Sequence, residues 1–69
     1  MPFISIEGPI FKDIAKKREL AKELTDAAIK AYDLPRESIV VIIRENLPEN
    51  VGVGGTLVID RKKPSDTAK

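Results

Sequence analysis

The run Ser38-Ile-Val-Val-Ile-Ile-Arg-Glu45 limits what this chain can become more than any other feature. It is continuous and β-branched, the pattern of a strand buried on both faces rather than the alternation of a strand with one wet face. Covering both faces takes two layers, and the rest of the chain offers one helix. Between Ile14 and Tyr32, residues Leu20, Ala21, Leu24, Ala27, Ala28 and Ala31 recur at spacings of three and four and form a single apolar stripe. Its alanines give it little bulk, which fits close packing on a sheet. Asp13 is the expected N-cap, and Asp33-Leu34-Pro35 the expected stop. Asp26 and Lys30 stand one turn apart in the favourable acid-first order.

Ahead of the helix, the segment from Pro2 to Glu7 puts Ile4 and Ile6 on one face and Ser5 and Glu7 on the other, a short strand closed by Gly8-Pro9. Strand, helix and strand make a β-α-β unit whose two strands run parallel. After Pro48, Val51-Gly-Val-Gly-Gly55 leads into Thr56-Leu-Val-Ile59, a further short strand. The glycines read as a tight turn or a bulge before a hairpin, because a phosphate-binding loop would open a helix and here a strand follows. The expected fold class is therefore α/β (α+β): one β-α-β unit with a short C-terminal hairpin, filling residues 1–60. Residues 61–69 are polar, include Pro64 and read as a flexible tail. A chain of 69 residues buries only about 60% of its unfolded surface, and without cysteine it has no disulfide to compensate. Other copies must cover the sheet, so an oligomer is expected.

Composition narrows the chemistry. Histidine and cysteine are both absent, which removes imidazole bases, thiolate nucleophiles and the usual zinc and haem ligands. No cofactor and no metal is expected. Twelve basic against eleven acidic residues leave a net charge of +1, a poor footprint for nucleic acid. The triplets Lys16-Lys17-Arg18 and Arg61-Lys62-Lys63 read as solvated surface. No apolar run approaches the roughly 20 residues of a membrane span, and no charged-then-apolar leader opens the chain, so a cytoplasmic protein without a membrane partner is expected. Acid-base work falls to carboxylates, lysines, Tyr32 or a chain terminus. Pro2 follows the initiator methionine, whose removal would expose a secondary amine. An unperturbed α-amino group titrates near pH 7.7 to 8.0, closer to neutrality than any other group in this chain. Many chains begin Met-Pro without such a role, so Pro2 alone does not decide the matter.

Taken together, Pro2 opening a short first strand, the apolar helix, the strand Ile39 to Glu45 and the segment Val51-Gly52-Val53-Gly54-Gly55 resemble the 4-oxalocrotonate tautomerase family. The resemblance covers nearly the whole chain and needs no gap from Pro2 to Gly55. It implies a tautomerase or isomerase, assembled as a hexamer, in which Pro2 is the general base moving a proton in unsaturated 2-hydroxy or 2-oxo acids of the 2-hydroxymuconate kind. The family's substrate arginine at the helix entrance falls on Lys12, which keeps the charge and loses the planar two-pronged geometry. Its second arginine, on the central strand, falls on Val40. Arg44 lies on the same strand face four residues along. It either takes over that task or is a surface residue, and the sequence leaves both open. The aromatic wall of the family pocket falls on Val51, giving a substrate-binding set of Lys12, Arg44 and Val51. The alternative is a non-catalytic oligomeric scaffold or small-molecule-binding protein that keeps the fold. The missing arginines favour it, whereas Pro2 and the glycine segment favour catalysis.

Overall fold

A computed structural model describes residues 1–61. Strand β1 (Phe3–Gly8) leads to helix α1 (Ile14–Tyr32), a 3-10 turn at Arg36–Ser38 and strand β2 (Val40–Glu45). A second 3-10 turn at Pro48–Asn50 then leads to the short strands β3 (Gly52–Val53) and β4 (Thr56–Leu57) and a last turn at Val58–Asp60. The expected tail lies outside the described residues from residue 62 onward.

Strands β1 and β2 pair in parallel from Phe3 with Val40 to Gly8 with Glu45, as the β-α-β reading requires. Opposed residues in a ladder point the same way, so Phe3, Ser5 and Glu7 share a face with Val40, Ile42 and Arg44. The other face carries Ile4, Ile6, Val41 and Ile43 and receives the helix. Lys17 on α1 accordingly reaches the carboxylate of Glu45. Burial along β1 alternates in step, with Ile4 and Ile6 half-buried and their neighbours Phe3, Ser5 and Glu7 exposed.

Helix α1 begins where the Asp13 side chain, on an extended residue, accepts a hydrogen bond from the Ala15 N–H at 3.0 Å. This satisfies one of the first-turn donors that a helix leaves unpaired. It ends at Asp33, whose left-handed backbone (φ 57°) turns its N–H back to the Ile29 carbonyl at 2.8 Å. The buried stripe differs from the expected one at two positions. Ala27 and Ala31 are exposed, while Thr25 and Ile29 turn inward beside Leu24 and Ala28. Alanines fit either side of a helix, so their spacing alone does not fix its rotation. Thr25 is tolerated there because its hydroxyl donates to the Ala21 carbonyl at 2.8 Å. Ala28, 6% exposed, is the one buried hydrophobic residue among those described.

Two further expectations are corrected. The strand expected over 56–59 stops at Leu57, and Val58–Asp60 form a 3-10 turn. The cause is the opposite arm: below Val51 it is already the Pro48–Asn50 turn, so after the Val58 N–H meets the Val51 carbonyl at 2.8 Å no extended partner remains. Asp26 does not pair with Lys30. One of its oxygens takes Lys22 at 3.0 Å and the other takes the Arg36 guanidinium, tying α1 to the turn that feeds β2. Among the described residues, no helix is long and apolar enough to cross a membrane.

The hydrogen bond from Arg36, and then that from Lys22, holds the Asp26 carboxyl below its ordinary value of 3.8. A lowered folded value means that the stabilisation is complete above that pH and is lost as pH falls through the folded value. Asp26→Asn should therefore be less stable than the unmodified protein in urea near pH 7. The two unfolding curves should converge as the pH falls through the carboxyl's lowered folded value. A gap that persists in acid would show that the carboxylate charge is not responsible.

Candidate active site

The strand end at Gly8 and Glu45 is where the open space lies. A cavity of about 630 Å³ is bounded by Gly8, Pro9, Asn46 and Asn50, with Val51 and Val58 as its apolar wall. The hairpin makes that wall. Gly54 (φ 62°) and Gly55 (φ 87°) both adopt the left-handed backbone that a two-residue hairpin turn demands. Their turn folds β4 back on β3 and brings Val58 to Val51. A second cavity of about 250 Å³ lies between the sheet end and the helix, bounded by Ile6, Phe11, Leu20, Ile43 and Arg44. Glu7, Gly8 and Pro9 border both.

Pro2 sits at the other end of the sheet. It is half-buried, and its carbonyl accepts from the Val40 N–H at 3.0 Å, which extends the β1–β2 ladder by one rung. The residue before it, Met1, is 77% exposed. Gly8 lies six residues along the strand from Pro2, a distance of about 20 Å at the usual rise. Within one chain, then, the structure does not bring Pro2 together with Val51. Lys12 is exposed on the bend just before α1, on the side of the sheet where the chain leaves β1. It borders neither cavity and has no ion pair among the described residues. Arg44 borders the smaller cavity, and Val51 the larger.

Glu7, Asn46, Lys17 and Glu45, all at this end, gave no sign of a role in the sequence. Glu7 places Oε2 3.9 Å from an Arg44 nitrogen, while its Oε1 accepts from the Asn46 amide at 3.2 Å. Parallel registration of Pro2 with the residue before Val40 would have set Glu7 opposite Arg44, but sequence alone does not fix that registration. Lys17 departs from the solvated triplet expected for it. Its ammonium turns inward to Glu45, whose Oε2 is shut off from solvent, and lies 5.7 Å from the centre of the Phe11 ring. This pair fixes the first turn of α1 against the end of β2, with Phe11 of the preceding loop beside it.

Comparison with known proteins bears on this arrangement. A family model described as tautomerase enzyme matches residues 2–61. The chain belongs to the tautomerase family. A probable tautomerase of Listeria innocua is 36% identical over 55 residues, spanning 80% of this chain and 90% of that protein. Among solved structures, DmpI from Archaeoglobus fulgidus superposes with a TM-score of 0.78 at 42% identity, covering 86% of this chain and all of that one. A chain of the heterohexamer 4-oxalocrotonate tautomerase from Chloroflexus aurantiacus superposes with a TM-score of 0.81 at 31% identity, covering 90% of this chain and 100% of its own. These matches support the 4-oxalocrotonate tautomerase branch of the superfamily, its α+β fold and general tautomerase activity.

The ion pair beneath the site has a measurable signature. Removing the cation alone leaves a shielded carboxylate oxygen without its counter-charge, whereas removing both charges does not. Lys17→Met should destabilise the fold by about 1 to 3 kcal/mol in urea titrations, and adding Glu45→Gln should recover part of that loss. Additive losses in the double variant would mean that the two side chains act independently.

Proposed function

We propose that this chain is a tautomerase acting on unsaturated 2-hydroxy or 2-oxo acids of the 2-hydroxymuconate kind, with the amine of Pro2 as general base after Met1 is removed. The observation that carries the reading is the anchoring of Pro2. Its carbonyl is held by Val40, so the ring nitrogen projects from a fixed point at the end of a sheet rather than from a loose terminus. General base catalysis depends on such placement before it depends on pKa.

In the reaction, the neutral secondary amine takes the proton of the enol hydroxyl. The electron pair left on oxygen forms the C2 carbonyl, the conjugated double bonds shift, and the ring ammonium returns a proton to the carbon at the far end of the displaced π system. Atoms and charge balance without a co-reactant. Apolar surroundings such as Val51 and Val58 disfavour the ammonium and keep the resting amine neutral. Lys12 is the proposed partner of the substrate carboxylate, carrying part of the charge that develops on the carbonyl oxygen. Arg44 is the proposed second cation, in place of the family arginine that Val40 does not supply.

Because Pro2 and Val51 lie at opposite ends of one strand, this reading requires the Pro2 of one copy at the cavity of another. The open sheet face supports self-association, since Phe3 is 63% exposed on it and both sheet edges are unpaired among the described residues. We take the assembly to be a hexamer. Native mass spectrometry should find a stable oligomer, and a folded monomer at micromolar concentration would refute the shared site.

Blocking the base tests the chemistry. Acylating the terminal amine, or retaining Met1, should reduce tautomerisation of a phenylpyruvate-like enol by about a hundredfold or more and leave the number of subunits in the assembly unchanged. Undiminished turnover in the blocked protein would exclude Pro2.

A further inference from the structure

Glu7 faces Arg44 across the ladder on the open side of the sheet. Its two oxygens are divided between neighbours: Oε2 stands 3.9 Å from Arg44 Nη1, and Oε1 accepts from Asn46 Nδ2 at 3.2 Å. Asn46 therefore restrains the carboxylate on one side while the guanidinium approaches it from the other. Glu7 also borders both cavities, so a ligand entering either one meets its charge. Arg44 has no other acidic partner among the described residues. At 3.9 Å the contact is too long for the two-pronged pairing that would lock a guanidinium to a carboxylate, and the remaining N–H groups stay available.

The charges at this end of the sheet thus nearly cancel. An acid whose only carboxylate is taken up by Lys12 presents a neutral tail here, and the Glu7–Arg44 pair is indifferent to it. A diacid brings its second carboxylate to a guanidinium already neutralised, next to a fixed negative charge. We propose that Glu7 is a specificity-determining residue: by masking Arg44 it narrows the advantage that a diacid gains from that guanidinium over a monoacid. This rests on the reading of the site given above, in which Lys12 and Arg44 lie along the substrate. Both side chains are more than half exposed, so the effect is that of a solvated pair, about two- to fivefold, and it weakens as salt is added.

The test is binding of two unreactive six-carbon acids, adipate and hexanoate, to the assembled protein by titration calorimetry at low salt. Glu7→Gln keeps an oxygen for Asn46 and removes the charge. It should tighten adipate about two- to fivefold and leave hexanoate unchanged, and the gain should vanish when Arg44→Ala is added. An equal effect on both acids, no effect, no adipate binding to Glu7→Gln, or a gain that survives Arg44→Ala would each overturn the proposal. So would a change confined to the oligomer's dissociation midpoint, which would make the pair an interface contact. Neither probe is turned over, so the binding result stands apart from proton transfer. Selective binding by a protein that tautomerises neither a monoacid nor a diacid would sink the Pro2 reading and leave this one standing.

Discussion

The dependence of this fold on a two-stranded parallel ladder covered on one side governs nearly everything else about it. Parallel strands are ordinarily buried on both faces, and here a single helix faces Ile4, Ile6, Val41 and Ile43 while Phe3, Val40 and Ile42 look outward. Ala28 alone is buried among the described hydrophobic residues, so the hydrophobic contribution within one chain is small. The polar ties are correspondingly prominent. Arg36 on Asp26 holds the helix to the turn that feeds β2, and Lys17 on Glu45 holds its first turn to the end of β2.

That architecture also distributes the chemistry. The parallel register puts Pro2 at the first rung and the cavities at the last, with the length of β1 between them. The hairpin, two residues to a strand, is too small to stand alone and serves as a wall. Gly54 and Gly55 are needed because both central positions of its turn have positive φ, where a side chain would clash with its own backbone. The proposed site is accordingly one shared between strand ends of different copies rather than a single interior pocket.

The parts of the fold legible in the sequence were those set by local rules. The Asp13 cap, the Asp33–Pro35 stop, the alternation of Ile4 and Ile6 and the Gly54-Gly55 turn each rest on the conformational preference of one or two residues, and the structure has all four. What escaped depended on neighbours distant in sequence. Strand β4 ends where its partner arm runs out, Asp26 prefers an arginine ten residues away to Lys30, and Lys17 leaves solvent for a carboxylate on another element. Val51 and Arg44 came into question only through the family resemblance, which left Arg44 open between site and surface, while Glu7 and Asn46 became visible only once the ladder set them side by side.

The rung between Pro2 and Val40 has a further consequence. It is the outermost hydrogen bond of a short ladder, next to a terminus that is exposed, and the ends of secondary structures open at far smaller free-energy cost than the whole. The residue proposed as the base is thus held by the bond most prone to fraying. Heating or mild denaturant would release that nitrogen into a swarm of orientations while the β1–β2 ladder and helix remain intact, so loss of turnover would precede loss of circular dichroism. In such a protein the working temperature range is set at one strand end, well inside the limits of the fold itself.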